Sequence, residues 1–211
     1  MTLYDATMAL RNGMLTFPGD PPFEIRPVFQ QKQGDPCNLA VMALGTHIGT
    51  HVDSPAHYLE TGATVDQLPL ETLIGPGMVL DVRGRSVIDR NALESFDPRD
   101  RPRVLLKTDN SRKLLEETFS AEYVCLTEGG AQLLVERGLR LVGIDYLSVD
   151  KTDNADGPVH RILLSAGIVV VEGVNLADIP SGPCEIYCLP LKIFGGDGAP
   201  ARVLVRTQEN C

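Results

Sequence analysis

Short apolar, β-branched runs recur along the chain, at Asn38–Leu44, Met78–Val82, Arg103–Leu106, Leu139–Ile144, Ile168–Val171, Glu185–Leu189 and Arg202–Val205. Each is strand-length and bounded by Gly, Pro, Asp or Asn, residues that end extended segments. Helical spacing is rarer. Thr127–Arg137 carries apolar residues at helical intervals, opens on Thr and stops at Gly138. A second helix is predicted over Val159–Ala166, with Pro158 at its first position and Gly167 just past its end. Arg90–Phe96 reads as a short third helix. The pattern predicts an α/β fold with strands in the majority, arranged as a mixed sheet. No repeat, low-complexity tract or linker interrupts it, so one domain over residues 1–211 is expected.

Composition narrows the function classes. A chain of 211 residues buries a sizeable core, and 43% hydrophobic with 22% charged residues is ordinary for a globular protein. The net charge of -9 argues against nucleic acid, because a phosphate binder needs a basic face. Residues 1–15 mix Asp5 and Arg11 into any apolar stretch, which predicts no secretory signal. No window approaches the roughly 20 apolar residues that span a membrane. Cys37, Cys125, Cys184, Cys188 and Cys211 are odd in number and scattered, which reads as mostly buried thiols in a reducing cytoplasm, not a disulfide framework. Cys184 and Cys188 lack the second pair of a zinc ribbon.

The histidines change the picture. There are four, and three fall in the segment His47-Ile48-Gly49-Thr50-His51-Val52-Asp53-Ser54-Pro55-Ala56-His57. Gly45, Gly49, Thr50, Val52 and Pro55 disfavour a helix here. An extended run puts His47, Gly49, His51 and Asp53 on one side, with Gly49 leaving space between two imidazoles. Two imidazoles and a carboxylate form a three-ligand set for zinc or manganese. A solvated polar strand face would also hold such residues, but so tight a cluster in a histidine-poor chain favours ligands. Glu172 ends the apolar run Ile168–Val171, where a carboxylate is costly unless paired or coordinating. His160 sits in the first turn of the helix opened by Pro158. Alone, Glu172 could meet an Arg and His160 could face solvent; together they suggest a second metal position that shares Asp53.

The string His47 to His57 fits the pattern H-x-G-T-H-x-D-x-P-x-H, with seven specified positions in eleven. It resembles the metal-dependent cyclase family, whose members include bacterial kynurenine formamidases and isatin hydrolases. Phe17-Pro18-Gly19-Asp20, Gly143-Ile144-Asp145, Ser148-Val149-Asp150 and the stretch from Pro190 to Arg202 are also similar to family segments. The resemblance implies a barrel-like sheet with a few flanking helices, and a dimer or higher homo-oligomer in which an N-terminal segment helps close a neighbour's site. It implies that His47, His51 and Asp53 hold one metal, and that Asp53 bridges to a second held by His160 and Glu172. His57 matches the general acid/base, and Phe17 the aromatic position that contacts substrate. The family's kynurenine formamidases carry Trp there, whereas this chain has no Trp.

The implied chemistry is hydrolysis of an amide. One or two divalent ions, zinc or manganese, lower the pKa of bound water to about 7 and polarise the carbonyl. His57, with an ordinary pKa of about 6.5, suits taking a proton from water and returning it to the leaving nitrogen. It could instead be a further ligand or a hydrogen-bond partner of Asp53. Asp145 and Asp150 are candidates for orienting an imidazole, or plain turn carboxylates. Asp20 reads as a turn residue, and Gly195-Gly196-Asp197-Gly198 as a turn near the pocket. Three classes stay open: an amidohydrolase of N-formyl arylamines or cyclic amides, a metal-dependent cyclase or lyase, and a non-catalytic metal binder. Open coordination positions and His57 beyond the ligand set favour an enzyme over a closed structural site. They do not separate hydrolysis from ring chemistry, and the resemblance implies a small-molecule amide as substrate.

Overall fold

A computed structural model describes residues 1–116, 118–154 and 156–207. Cys211 lies outside the described residues. The strands are β1 (Thr2–Asp5), β2 (Glu24–Phe29), β3 (Leu39–Ala43), β4 (His51–Asp53), β5 (Ile74–Asp81), β6 (Arg103–Lys107), β7 (Leu141–Ile144), β8 (Val169–Glu172), β9 (Gly182–Pro190) and β10 (Gly198–Thr207). The helices are α1 (Leu70–Leu73), α2 (Asn110–Lys113), α3 (Glu128–Glu136) and α4 (Pro158–Ser165).

Strands β10, β4, β8, β7, β6, β5 and β9 are hydrogen-bonded in that order, and β9 returns to β10 to close a barrel. β1 extends the wall along β10. β5 to β8 run parallel, and the other barrel pairings are antiparallel, so the sheet is mixed. Alternation along each strand separates two cores. Val52, Leu105, Leu141, Val169, Val171, Ile186 and Val203 fill the barrel interior. Val104, Leu106, Val142, Ile144 and Val170 face outward and pack with Leu134 of α3 and Leu163 of α4. Coverage on both faces explains why β6, β7 and β8 read as unbroken apolar runs.

The two longer helices fall where the sequence puts them. Thr127 caps α3, its Oγ1 accepting the Gly130 N–H at 3.2 Å, and α4 begins on Pro158. Arg90–Phe96 contracts to a single 3-10 turn, Asn91–Leu93. Asp89 Oδ1 accepts the Ala92 N–H at 2.8 Å, and Asp97-Pro98 follows at once, leaving no room for a second turn. The run at Asn38–Leu44 is a strand, but not a barrel strand. β3 pairs only with β2, and every residue of this two-stranded ribbon is exposed. Of the described cysteines, Cys125, Cys184 and Cys188 are buried, Cys37 is exposed, and none is in a disulfide. Burial pushes the Cys184 and Cys188 thiols up to about 12. No helix among the described residues is long and apolar enough to cross a membrane.

Candidate metal centre

β4 is only three residues long, yet it sets the site. Val52 enters the barrel core, so His51 and Asp53 must point to the opposite, outer face. On the adjacent β8, Glu172 stands directly across from His51. All three side chains are buried. α4 packs over this face and delivers His160 from its first turn. Asp150 fixes that delivery: its carboxylate accepts the backbone N–H groups of Val159 (3.1 Å) and His160 (3.0 Å) and bonds His160 Nδ1 at 2.7 Å. His160 Nε2 is thereby left facing Glu172 Oε1 at 3.1 Å and Asp53 Oδ2 at 3.4 Å. Glu172 Oε1 also accepts the Val149 N–H at 2.7 Å.

His47 reaches the cluster by a different route from the one its spacing suggests. The extended run does not extend back to His47: the strand starts at His51, and Gly49 breaks it with a φ of +63°. Gly49 leaves no open space either, since a Cβ there would lie 2.8 Å from Leu10 Cδ2. The turn folds His47 back over Asp53, with Nδ1 2.7 Å from Asp53 Oδ1 and Nε2 2.8 Å from Asp197 Oδ2. His57, on the 3-10 turn Pro55–His57, stacks on His47 with centroids 3.8 Å apart. The five sequence-selected ligand candidates and His57 thus converge.

Two observations test whether these residues suit a cation. Asp53 Oδ2 is buried with no hydrogen-bond partner among the described residues; His160 Nε2 stands 3.4 Å away, a contact a shared cation would replace with direct coordination. His51 Nε2 lies 3.4 Å from both Asp53 Oδ1 and Glu172 Oε2. That is too long for hydrogen bonds. It is, however, the separation of two atoms each about 2.1 Å from one tetrahedral ion, which is about 3.4 Å. The donor set of imidazoles and carboxylates fits zinc or manganese, and His51, Asp53 and Glu172 lie close enough to share one ion.

Electrostatics sorts the four imidazoles. Burial opposes charge on His47, but hydrogen bonds and charges from Asp53 and Asp197 win and raise it to about 9. Burial likewise opposes charge on His51 and His160, yet Glu172, Asp53 and, for His160, Asp150 raise both. Asp53, against its burial, is held well below the usual carboxylate range by His160, His47 and His51. His57 goes the other way, lowered by burial and by the neighbouring His47 and His160 despite Asp53 and Glu172. The carboxylates thus favour positive charge on His47, His51 and His160, the place where a cation would act, while His57 is shifted toward its neutral form.

A pocket of about 160 Å³ opens over the cluster. This is the size class that accepts one benzene ring. Phe17 lines it, set edge-on against Phe119 with centroids 5.5 Å apart, together with Asp20, Tyr58 and Leu147. Tyr58 stacks on His160 at 4.7 Å. Asp145 is not part of the site: it accepts from Thr108 and Ser111 and ties β7 to α2. Asp20 is more than a turn residue, and burial at the pocket raises its carboxyl against the pull of His47 and His51. Tyr58 and the role of Asp197 were not legible in the sequence. Tyr58 had one signal, its place directly after His57, whereas Asp197 joins His47 from 150 residues away.

The whole chain has relatives among known proteins. A family model described as "Putative cyclase" matches residues 4–151. The chain is 36% identical over 208 residues to a kynurenine formamidase of Salinibacter ruber, covering 98% of each protein. It is 33% identical over 202 residues to a kynurenine formamidase of Bacillus cereus, covering 96% of each. A solved structure described as a potential metal-dependent hydrolase with cyclase activity superposes with a TM-score of 0.85 at 32% identity, covering 99% of both chains. Isatin hydrolase A from Ralstonia solanacearum shares the fold, with a TM-score of 0.84 at 24% identity over 98% of this chain and 92% of that one. With the cluster and these matches together, the chain belongs to the cyclase family.

Proposed function

We propose that this chain is a metal-dependent hydrolase of amide carbon–nitrogen bonds, acting on N-formyl arylamines. Asp53 Oδ2, buried without a hydrogen bond and 3.4 Å from His160 Nε2, carries the reading, because a cation shared with His51 and Glu172 beneath the pocket would satisfy it. Full-length similarity to proteins named kynurenine formamidase supports the substrate class. His47, His51, Asp53, His160 and Glu172 would hold one or two divalent ions, zinc or manganese. A bound ion would polarise the substrate carbonyl and bring its water to a pKa of about 7.

The chain's own groups do the rest. Phe17, braced by Phe119, packs against the aryl ring, and Leu147 and Tyr58 exclude water from the other walls. His57, its pKa lowered by burial and its Nδ1 3.6 Å from Asp197 Oδ2, accepts the proton of the attacking water at Nε2. The water oxygen bonds the carbonyl carbon, and as the carbon–nitrogen bond breaks Nε2 returns its proton to the arylamine nitrogen, so the free amine leaves with formic acid, which ionises to formate in solvent. Asp150 holds the His160 ring in place throughout.

The protein as a whole is proposed to be a cytoplasmic homodimer. Buried, unpaired thiols support a reducing compartment. The ribbon β2–β3 exposes Ile25, Val28, Phe29, Leu39, Val41 and Met42. Isolated two-stranded sheets are marginal in water, which favours burial of this one against a second copy. The direct test counts zinc and manganese in protein purified without chelator, then assays N-formyl arylamines beside cyclic amides. His57→Ala should keep its metal and lose about 10²–10⁴ in rate. Metal-free yet fully active protein, or His57→Ala turning over at the parent rate, would sink the mechanism.

A further inference from the structure

Asp197 sits at a point the strand register chooses. The β10–β4 pairing begins at Gly198 opposite Asp53, so Asp197 falls one step beyond, beside Ser54. Ser54 pins it there, its N–H (3.0 Å) and Oγ (2.8 Å) both donating to the Asp197 carbonyl. The carboxylate is then aimed at two imidazoles. Its Oδ2 is 2.8 Å from His47 Nε2 and 3.6 Å from His57 Nδ1. Gly198 makes the approach possible, because a Cβ at that position would fall 2.6 Å from His47 Cε1. The same device operates on the other side of the cluster, where Asp150 takes His160 Nδ1 at 2.7 Å and turns Nε2 toward Asp53 and Glu172.

We propose that Asp197 is a positioning residue: by holding His47 Nε2 it turns His47 Nδ1 toward Asp53, and through the ring stack it sets the plane of His57. The inference rests on His47 being a metal ligand and His57 the proton carrier. Carboxylates that orient a ligating histidine are typically worth 10–100-fold in metal affinity or activity. An ordinary half-exposed ion pair would be worth little of either.

Asp197→Ala and Asp197→Asn, made in the full chain, separate these cases. Zinc affinity is read by competition with a chromophoric chelator, kcat and KM are measured separately, and the metal-free proteins are melted. Asp197→Ala should bind zinc about 10–100-fold more weakly, with the activity loss in kcat and not KM. Asp197→Asn, which keeps an acceptor oxygen, should recover most of the zinc affinity, although both metal-free variants lose the same His47 ion pair and should melt alike, below the parent. Parent-like zinc affinity and kcat in Asp197→Ala would overturn the positioning role and leave the proposed function standing. So would a lowered melting point in both variants with zinc affinity unchanged. A parent chain that binds no zinc would overturn the metal site and this inference together.

Discussion

Two antiparallel strand pairs in this molecule follow opposite rules. β4–β8 is buried on both faces, and on its outer face it buries His51, Asp53 and Glu172. β2–β3 is exposed on both faces, and beside Glu24 and Arg26 it exposes large apolar side chains, with Met42 58% and Val28 49% accessible. Charge inside and hydrocarbon outside are each unfavourable in an isolated chain. Under the proposed function, the first pair is completed by a cation and the second by a second copy of the chain.

The sharpest way to break the comparison is at β4. Asp53→Ala removes the carboxylate that faces His47, His51 and His160 at once. We expect loss of bound divalent ion and a fall in amide hydrolysis to background, measured on the same preparation. Retention of stoichiometric metal would place the ion elsewhere.

A smaller effect is expected at the ribbon. Ile25 and Met42 are cross-strand neighbours, so Ile25→Lys with Met42→Glu keeps an attractive pair while removing the apolar face. Burial of such a side chain contributes about 1.5–3 kcal/mol, so the dissociation constant should rise by at least about tenfold. Sedimentation velocity over a concentration series reads this directly. A parent that stays monomeric at micromolar concentration with full activity would remove the dimer.

The smallest effect is in pH dependence. In metal-free protein His47 is raised from 6.5 to about 9, so its contribution to stability is complete below 6.5 and vanishes as pH rises through about 9. His51 and His160, also raised, act in the same direction. The melting midpoint after chelation should therefore fall across this window, by on the order of 5 °C. A bound ion keeps the rings neutral and should flatten the curve. A midpoint that rises with pH in chelated protein would contradict the charge assignment.

What the sequence made legible follows from local physics. β6, β7 and β8 stand out because both faces are covered, and α4 because Pro158 and Gly167 punctuate it. β2 does not, because Glu24, Arg26 and Pro27 break any apolar pattern and neither face meets the core. Period-two spacing does put His51 and Asp53 on one face of β4. His47 comes beside Asp53 by a different route, since the positive φ of Gly49 replaces the strand with a turn. Asp197 stayed hidden because its partners are set by the β10–β4 register, a long-range pairing that no local pattern encodes.

In the proposed function the buried carboxylate of Asp53 faces a divalent cation. Anomalous diffraction from crystals grown with zinc or manganese would locate that ion. The expected peak lies within coordination distance of Asp53 Oδ2, shared with His51 and Glu172. Crystals of active protein with no anomalous density near Asp53, or with peaks only at exposed carboxylates, would contradict it.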